Sequence, residues 1–273
     1  MKSSGLFLKK RIDIHDHDGA RWVEGTLSIP GMAMKSHFYI IDNLLLDTGP
    51  ARLGSLSGKV FKEEKVVRGA ATHYHEDHTG MAPWLIREMK IPFYLQKNDV
   101  EIVKEATKLP RYRAFAWGNR EGFTASRLGD VLETDHHRFE VIDAPGHSPH
   151  HVVFHEAQKG WLFTGDLYVS SRQRVAFVDE HMGQSITTLK MLLSLDFDYL
   201  FCAHAGILAK GKERIREKLE VLQEIRGTVM GLYEKGLSVD EINKTLYPKK
   251  DLWFRLSKGE WSSRKIVSTI IEQ

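Results

Sequence analysis

The sequence predicts a layered α/β fold followed by a helical segment. Three observations carry this. Strand-like and helix-like stretches alternate between residues 22 and 106, the pattern of stacked strand and helix layers. Strand signals resume at 138–164 and at 199–203, around a helical stretch. After Gly206 apolar residues recur at helical spacing.

Residues 22–29 alternate apolar and polar side chains, as a half-buried strand does. Residues 37–41 and 44–46 are short β-type runs parted by the turn signal Asp42-Asn43, and the second runs into Asp47-Thr48-Gly49. Residues 66–72 read as a buried strand, 80–89 as a helix, 91–95 as a strand and 98–106 as a helix. The basic and aromatic stretch 107–127, with Arg111, Tyr112, Arg113, Phe115, Trp117, Arg120 and Phe123, shows no clean period. It is expected to be a long loop or broken helix over the body, a kind of segment that often carries function. Residues 138–143, 151–155 and 161–164 read as strands, 182–195 as a helix and 199–203 as a strand. Ile215, Leu219, Leu222, Val229 and Leu232 then follow helical spacing, and Gly236 suits the position just past a helix end. Ser238-Val239-Asp240-Glu241 is a capping-box pattern, Pro248 stops that helix, and Ser262 or Ser263 caps a last one carrying Ile266, Val267, Ile270 and Ile271.

The chain has 273 residues, 42% hydrophobic and 27% charged, an ordinary globular balance that excludes a disordered or collagen-like protein. No apolar run approaches the ~18 residues of a membrane span. The first residues hold only Leu6-Phe7-Leu8 before a charge, short of the ~7–15 of a secretory signal, and the single cysteine, Cys202, excludes an internal disulfide framework. A cytoplasmic location is therefore expected. A net charge of +3 is too small to announce a nucleic-acid protein.

The chemistry concentrates in His73-Tyr74-His75-Glu76-Asp77-His78, directly after a strand. In an extended segment side chains two apart share a side, so His73, His75 and Asp77 can converge while His78 points to a second centre. Imidazole and carboxylate are ligands of zinc, iron and manganese. Three more strand ends carry such groups beside a glycine: Pro145-Gly146-His147, Gly165-Asp166, and His204-Ala205-Gly206. Rigid strand ends are where sites are built.

These residues resemble the metallo-β-lactamase superfamily of hydrolases, whose hallmark is HxHxDH; the resemblance covers roughly residues 20–207. It implies an αββα sandwich with the metal site at one edge between two sheets. It implies that His73, His75 and His147 bind one metal, that Asp77, His78 and His204 bind a second, and that Asp166 bridges both. Asp47 would orient ligands from behind. The cofactor expected is a pair of divalent metal ions, zinc first, with iron or manganese as alternatives. Such a pair would lower the pKa of bound water into the neutral range and supply the nucleophile for an acyl carbon or phosphorus, with Asp77 or Asp166 expected to hold the proton. The expected division is a catalytic domain at 1–207 and a helical appendage at 208–273.

The substrate is less legible. Tyr168 is a candidate catalytic residue because lactonases of the superfamily carry a tyrosine three residues after the bridging aspartate; here the spacing is two. His150 and His181 are candidates to line the cleft, with packing and solvated roles as the plainer reading. Residues 208–273 hold 14 Lys+Arg and 10 Asp+Glu, a balance of +4. Beside the site this suits an anionic substrate, though an ordinary charged helical surface has the same composition. A small-molecule thioester, ester or lactone is the expected substrate, and a nucleic-acid phosphodiester is the alternative. No membrane partner is expected, and edge strands or an apolar tail face could support a homodimer.

Overall fold

The computed structural model describes residues 8–249 and 252–272. The opening stretch examined for a leader falls largely outside the described residues. Among those described, no helix is long and apolar enough to cross a membrane.

The first half builds one sheet. Strands β1 (Lys9–His17), β2 (Ala20–Ile29), β3 (Met32–Ile41) and β4 (Leu44–Leu46) form an antiparallel meander. Helix α1 (Ser55–Glu63) returns the chain to β5 (Arg68–Ala70), which pairs parallel with β4. After the short helices α2 (Glu76–Thr79) and α3 (Ala82–Trp84) and a π turn, β6 (Phe93–Leu95) adds in parallel to β5. Helices α4 (Asp99–Ile102) and α5 (Arg111–Ala116) precede β7 (Ser126–Arg127), and the strand order is β1 to β7. The second sheet runs β13-β12-β11-β10-β9-β8. Its members are β8 (Val131–Glu133), β9 (Arg138–Asp143), β10 (Val152–Glu156), β11 (Trp161–Gly165), β12 (Tyr199–Cys202) and β13 (Gly206–Ala209). Helix α6 (Met182–Leu192) connects β11 to the parallel β12. Four helices close the chain: α7 (Gly211–Tyr233), α8 (Val239–Leu246), α9 (Leu252–Leu256) and α10 (Ser263–Ile271).

Period-two alternation stacks these elements. In β3, Tyr39 and Ile41 face the other sheet while Phe38 and Ile40 face α1. In β11, Trp161 and Phe163 face inward and Leu162 faces the helices. The inter-sheet core is aromatic, with Phe163 and Phe201 ring centroids 4.2 Å apart and the Tyr39 hydroxyl donating to the Cys202 carbonyl at 2.7 Å. Each such buried ring contributes roughly 1.5–3 kcal/mol. The result is the expected αββα sandwich.

Several elements differ from expectation. The helix expected at 80–89 starts at Ala82 with Pro83 in its first turn, passes from α to π turns at Leu85, and ends at the left-handed Lys90. The helix expected at 98–106 stops early, because the Val103 carbonyl is taken by the Phe123 amide and the Arg120 guanidinium. The polar edge strand β1 and the helix α1 were not among the expected elements. The 107–127 segment, expected as a long loop or broken helix, is a loop that holds the short helix α5 and ends in β7, pinned by the buried Arg120. The capping box at Ser238 and the cap at Ser262 form as the sequence indicated. The helices beyond residue 208 share one apolar cluster with α6 and the second sheet, through Ile215, Leu222, Val229, Ile266 and Ile270.

Candidate metal centre

Strand ends from both sheets deliver the donors to one edge of the sandwich. His73 and His75 follow β5, His147 follows β9, Asp166 follows β11 and His204 follows β12. Two groups result: His73, His75 and His147, and Asp77, His78, Asp166 and His204, with the ligand atoms of each within 4.8 Å of one another. The convergence of His73, His75 and Asp77 expected from an extended backbone does not occur. Helix α2 starts at Glu76, so the period of two ends at His75, and Asp77 turns with His78 toward the second group.

In the first group, Nδ1 of His75 lies 2.9 Å from Nε2 of His73 and 3.2 Å from Nε2 of His147. In the second, Nε2 of His204 lies 3.3 Å from Asp77 Oδ2 and 3.2 Å from Asp166 Oδ2. Asp166 lies between the groups: Oδ2 is 3.6 Å from His147 Nε2 and Oδ1 is 3.4 Å from His78 Nε2.

The far nitrogen of every imidazole is held. His73 Nδ1 meets Thr72 Oγ1 at 3.1 Å, His75 Nε2 meets Asp179 at 3.2 Å, and His78 Nδ1 meets Asp47 at 3.0 Å. His147 Nδ1 meets Glu180 at 2.8 Å and His204 Nδ1 donates to the Lys35 carbonyl at 2.7 Å. Carboxylates, a carbonyl and the Thr72 hydroxyl behind the rings fix their orientation, so the near nitrogens face a shared space where a cation would displace their protons. Asp47 does this from a left-handed backbone (φ 58°) and also accepts from the Thr72 amide at 2.9 Å. Gly165 (φ 49°) lets β11 pass close behind, where a Cβ would sit 2.5 Å from Thr72 Oγ1.

Electrostatics divide the same way. Burial, then the imidazoles of His78, His75 and His147, hold His73 well below the usual imidazole range. Burial pushes the Asp166 and Asp77 carboxyls up, but His204 and His78 outweigh it and hold both low. Those carboxylates, with Asp47 on His78, in turn draw protons onto His78 and His204 against the effect of burial. The buried atoms His78 Nε2 and Asp166 Oδ1 complete no hydrogen bond. Facing imidazole nitrogens, proton-attracting carboxylates and orphaned donors all fit divalent cations in both groups.

The cleft beside the donors has a volume of about 710 Å³. Its walls come from the β2–β3 hairpin (Met34, Lys35), the 107–127 segment (Arg113, Trp117), loop 169–177, and Lys218 and Trp261 of the helical part. Arg113 pairs with the buried Glu76 at 2.6 Å and stacks 4.6 Å over Phe177, whose ring lies 5.0 Å from Trp261. Ala176 and Ser262 exchange backbone hydrogen bonds, which ties the tail to the cleft loop.

Other candidates stand elsewhere. Tyr168 is not brought to the cleft; its ring packs in the cluster with Met182 and Ile186, because the chain turns at Leu167 and aims position 168 inward. His150 pairs with the buried Asp99 at 2.8 Å, and His181 caps α6 by accepting from the Gln184 amide. Sequence reasoning missed Asp179 and Glu180, although two adjacent carboxylates just before a helix were a signal. It also missed that Cys202 Sγ accepts from the amides of His204 and Ala205, shaping the turn that carries His204.

A two-sheet sandwich with grouped imidazoles and carboxylates at its edge has the architecture of a metal-binding enzyme. The metallo-beta-lactamase superfamily model matches residues 35–204, and the chain belongs to that superfamily. The chain is 33% identical over 140 residues to a hydroxyacylglutathione hydrolase from Nitrosomonas eutropha, covering 50% of this chain and 47% of the relative, about half its length. A hydroxyacylglutathione hydrolase from Haemophilus influenzae is 29% identical over 156 residues, covering 52% of this chain and 70% of that protein. Among solved structures, a beta-lactamase domain protein from Burkholderia ambifaria superposes with a TM-score of 0.68 at 16% identity, covering 95% of this chain and 88% of the other. A metallo-beta-lactamase family protein from Thermus thermophilus gives 0.60 at 16% identity, covering 97% and 90%.

Proposed function

We propose that this protein is a binuclear hydrolase of small-molecule thioesters, with zinc as the native metal. The observation that carries the binuclear reading is Asp166, whose Oδ2 lies between the donor groups, 3.6 Å from His147 of the first and 3.2 Å from His204 of the second, while Oδ1 lies 3.4 Å from His78. His73, His75 and His147 would hold one ion, Asp77, His78 and His204 the other, and Asp166 both. A pair of divalent cations supplies Lewis acidity and lowers the pKa of bound water.

The chain's residues do the rest. Asp179, Glu180 and Asp47 keep the imidazoles oriented. Asp77 directs Oδ2 toward His204 and leaves Oδ1 to take the proton released on attack and return it to the leaving sulfur. Trp117 and Phe177 give the acyl group an apolar wall that limits water. The hydroxyacylglutathione hydrolases among the relatives support a thioester over an ester or lactone. The cleft cations Arg172 and Arg174 suit an anionic substrate, whereas Lys35 is paired with Glu24 at 2.8 Å.

Metal content of the purified chain and turnover of a glutathione thioester, an acyl lactone, a phosphodiester and a β-lactam test the reading together. About two zinc ions per chain with thioester turnover is the expected result. His75→Ala should lower bound metal to about one ion and remove most activity, and Asp166→Ala should disturb both ions. Turnover of the phosphodiester alone would replace this reading with that of a nuclease.

A further inference from the structure

The 14 cations of residues 208–273 have different fates. Among the described residues, Lys218 of α7 is the one of them that lines the cleft. It is 6% exposed, and its Nζ donates to the Leu167 carbonyl, directly after Asp166, at 2.7 Å. Among the described residues no carboxylate forms an ion pair with it. Nearby Glu180 cannot serve, because Oε1 holds His147 and Oε2 accepts from Gln173 and the Phe177 amide. The other partner of Lys218 is the face of the Tyr168 ring, 5.8 Å from Nζ, so the buried ammonium meets a neutral carbonyl and a neutral ring but no paired anion, an unbalanced charge that an anionic ligand would complete.

We propose that Lys218 is the anion anchor of the cleft and binds a carboxylate on the acyl half of the substrate. This rests on the thioester reading above. The assignment to the acyl half follows from depth. Lys218 lies on the floor beside the residue after Asp166, whereas the exposed Arg172 and Arg174 stand on the cleft loop. A thiol half as large as glutathione fits only toward the open side, so the floor receives the smaller acyl half.

The test uses the full-length zinc-loaded protein, Lys218→Met and Lys218→Arg, with four thioesters made from butyryl or succinyl groups on N-acetylcysteamine or glutathione. Lys218→Met should lower kcat/KM at least tenfold for both succinyl thioesters, mainly through KM, and leave both butyryl thioesters within about twofold. Lys218→Arg should restore part of the loss. An equal fall on all four substrates would overturn the proposal in favour of a positioning role through the Leu167 carbonyl. A loss confined to the glutathione pair, or no loss, would overturn it as well. Succinate binding, followed by the fluorescence of Trp117 and Trp261, reads the same contact without turnover and should weaken at least fivefold in Lys218→Met. If the wild type cleaves none of the four, the thioester reading fails; unchanged succinate binding in Lys218→Met would then overturn the anchor separately.

Discussion

Glu180 shows how much of a metal site lies behind its ligands. Its carboxylate holds His147 Nδ1 while the Gln173 amide and the Phe177 backbone hold the carboxylate. Glu180→Ala frees the ring to rotate and lowers its basicity, so zinc affinity measured by chelator competition should fall by about 10–100-fold. An unchanged affinity would mean that packing alone orients His147. His37 makes a different statement, about acid. Its Nδ1 accepts from Trp22 Nε1 at 2.8 Å, and burial, partly opposed by Glu24, lowers its pKa to about 4. The unfolded imidazole titrates near 6.5. The folded form therefore binds the proton more weakly, and the stability tied to neutral His37 is complete above pH 6.5 and lost as pH falls toward 4. The difference is on the order of 3 kcal/mol. In His37→Gln, the loss of urea resistance between pH 7 and pH 4.5 should be smaller than in the wild type; equal losses would assign the acid sensitivity to other groups.

At the scale of elements, the 107–127 segment and the tail act as one wall. Arg113 joins the metal-motif residue Glu76 to Phe177, and it also lies 3.8 Å from Glu260 of the tail. Glu76 is 2% exposed, so Arg113→Ala leaves a buried carboxylate without its partner. Chemical denaturation should show a loss of about 3–5 kcal/mol, with much of it recovered when Glu76→Gln is added. Additive losses in the double variant would show that the pair is not coupled. This wall illustrates what was legible locally. The aromatic and basic character of 107–127 marked it as irregular, but its pairing with residues 76, 177 and 260 joins side chains far apart in sequence. No periodic pattern carries that information.

At the scale of the whole molecule, the helices after residue 208 complete the apolar layer on the second sheet and bring Lys218 and Trp261 to the cleft. Truncation after residue 207 should uncover Leu162, Leu189 and Leu200 and give a protein that aggregates or lacks a cooperative thermal transition. A truncated chain that melts cooperatively and keeps its metal would show instead that the helices are dispensable to the fold. The sequence by itself determined a layered α/β fold and the candidate donor residues, while the sandwich followed from the family resemblance those residues carry. Apolar strands ending in histidine or aspartate are local patterns, and ligand chemistry belongs to residue type. It also determined the caps of the last helices, which depend on a few adjacent side chains. Tertiary structure alone decided that Asp77 joins His204 rather than His75, since a helix begins between them. It decided that Tyr168 turns into the core, that Asp179 and the Lys35 carbonyl stand behind the imidazoles, and that Lys218 reaches the cleft floor. Each of these rests on where distant segments pack. A backbone carbonyl has no letter in the sequence, and the alternation of a strand fixes a face without naming what will lie against it.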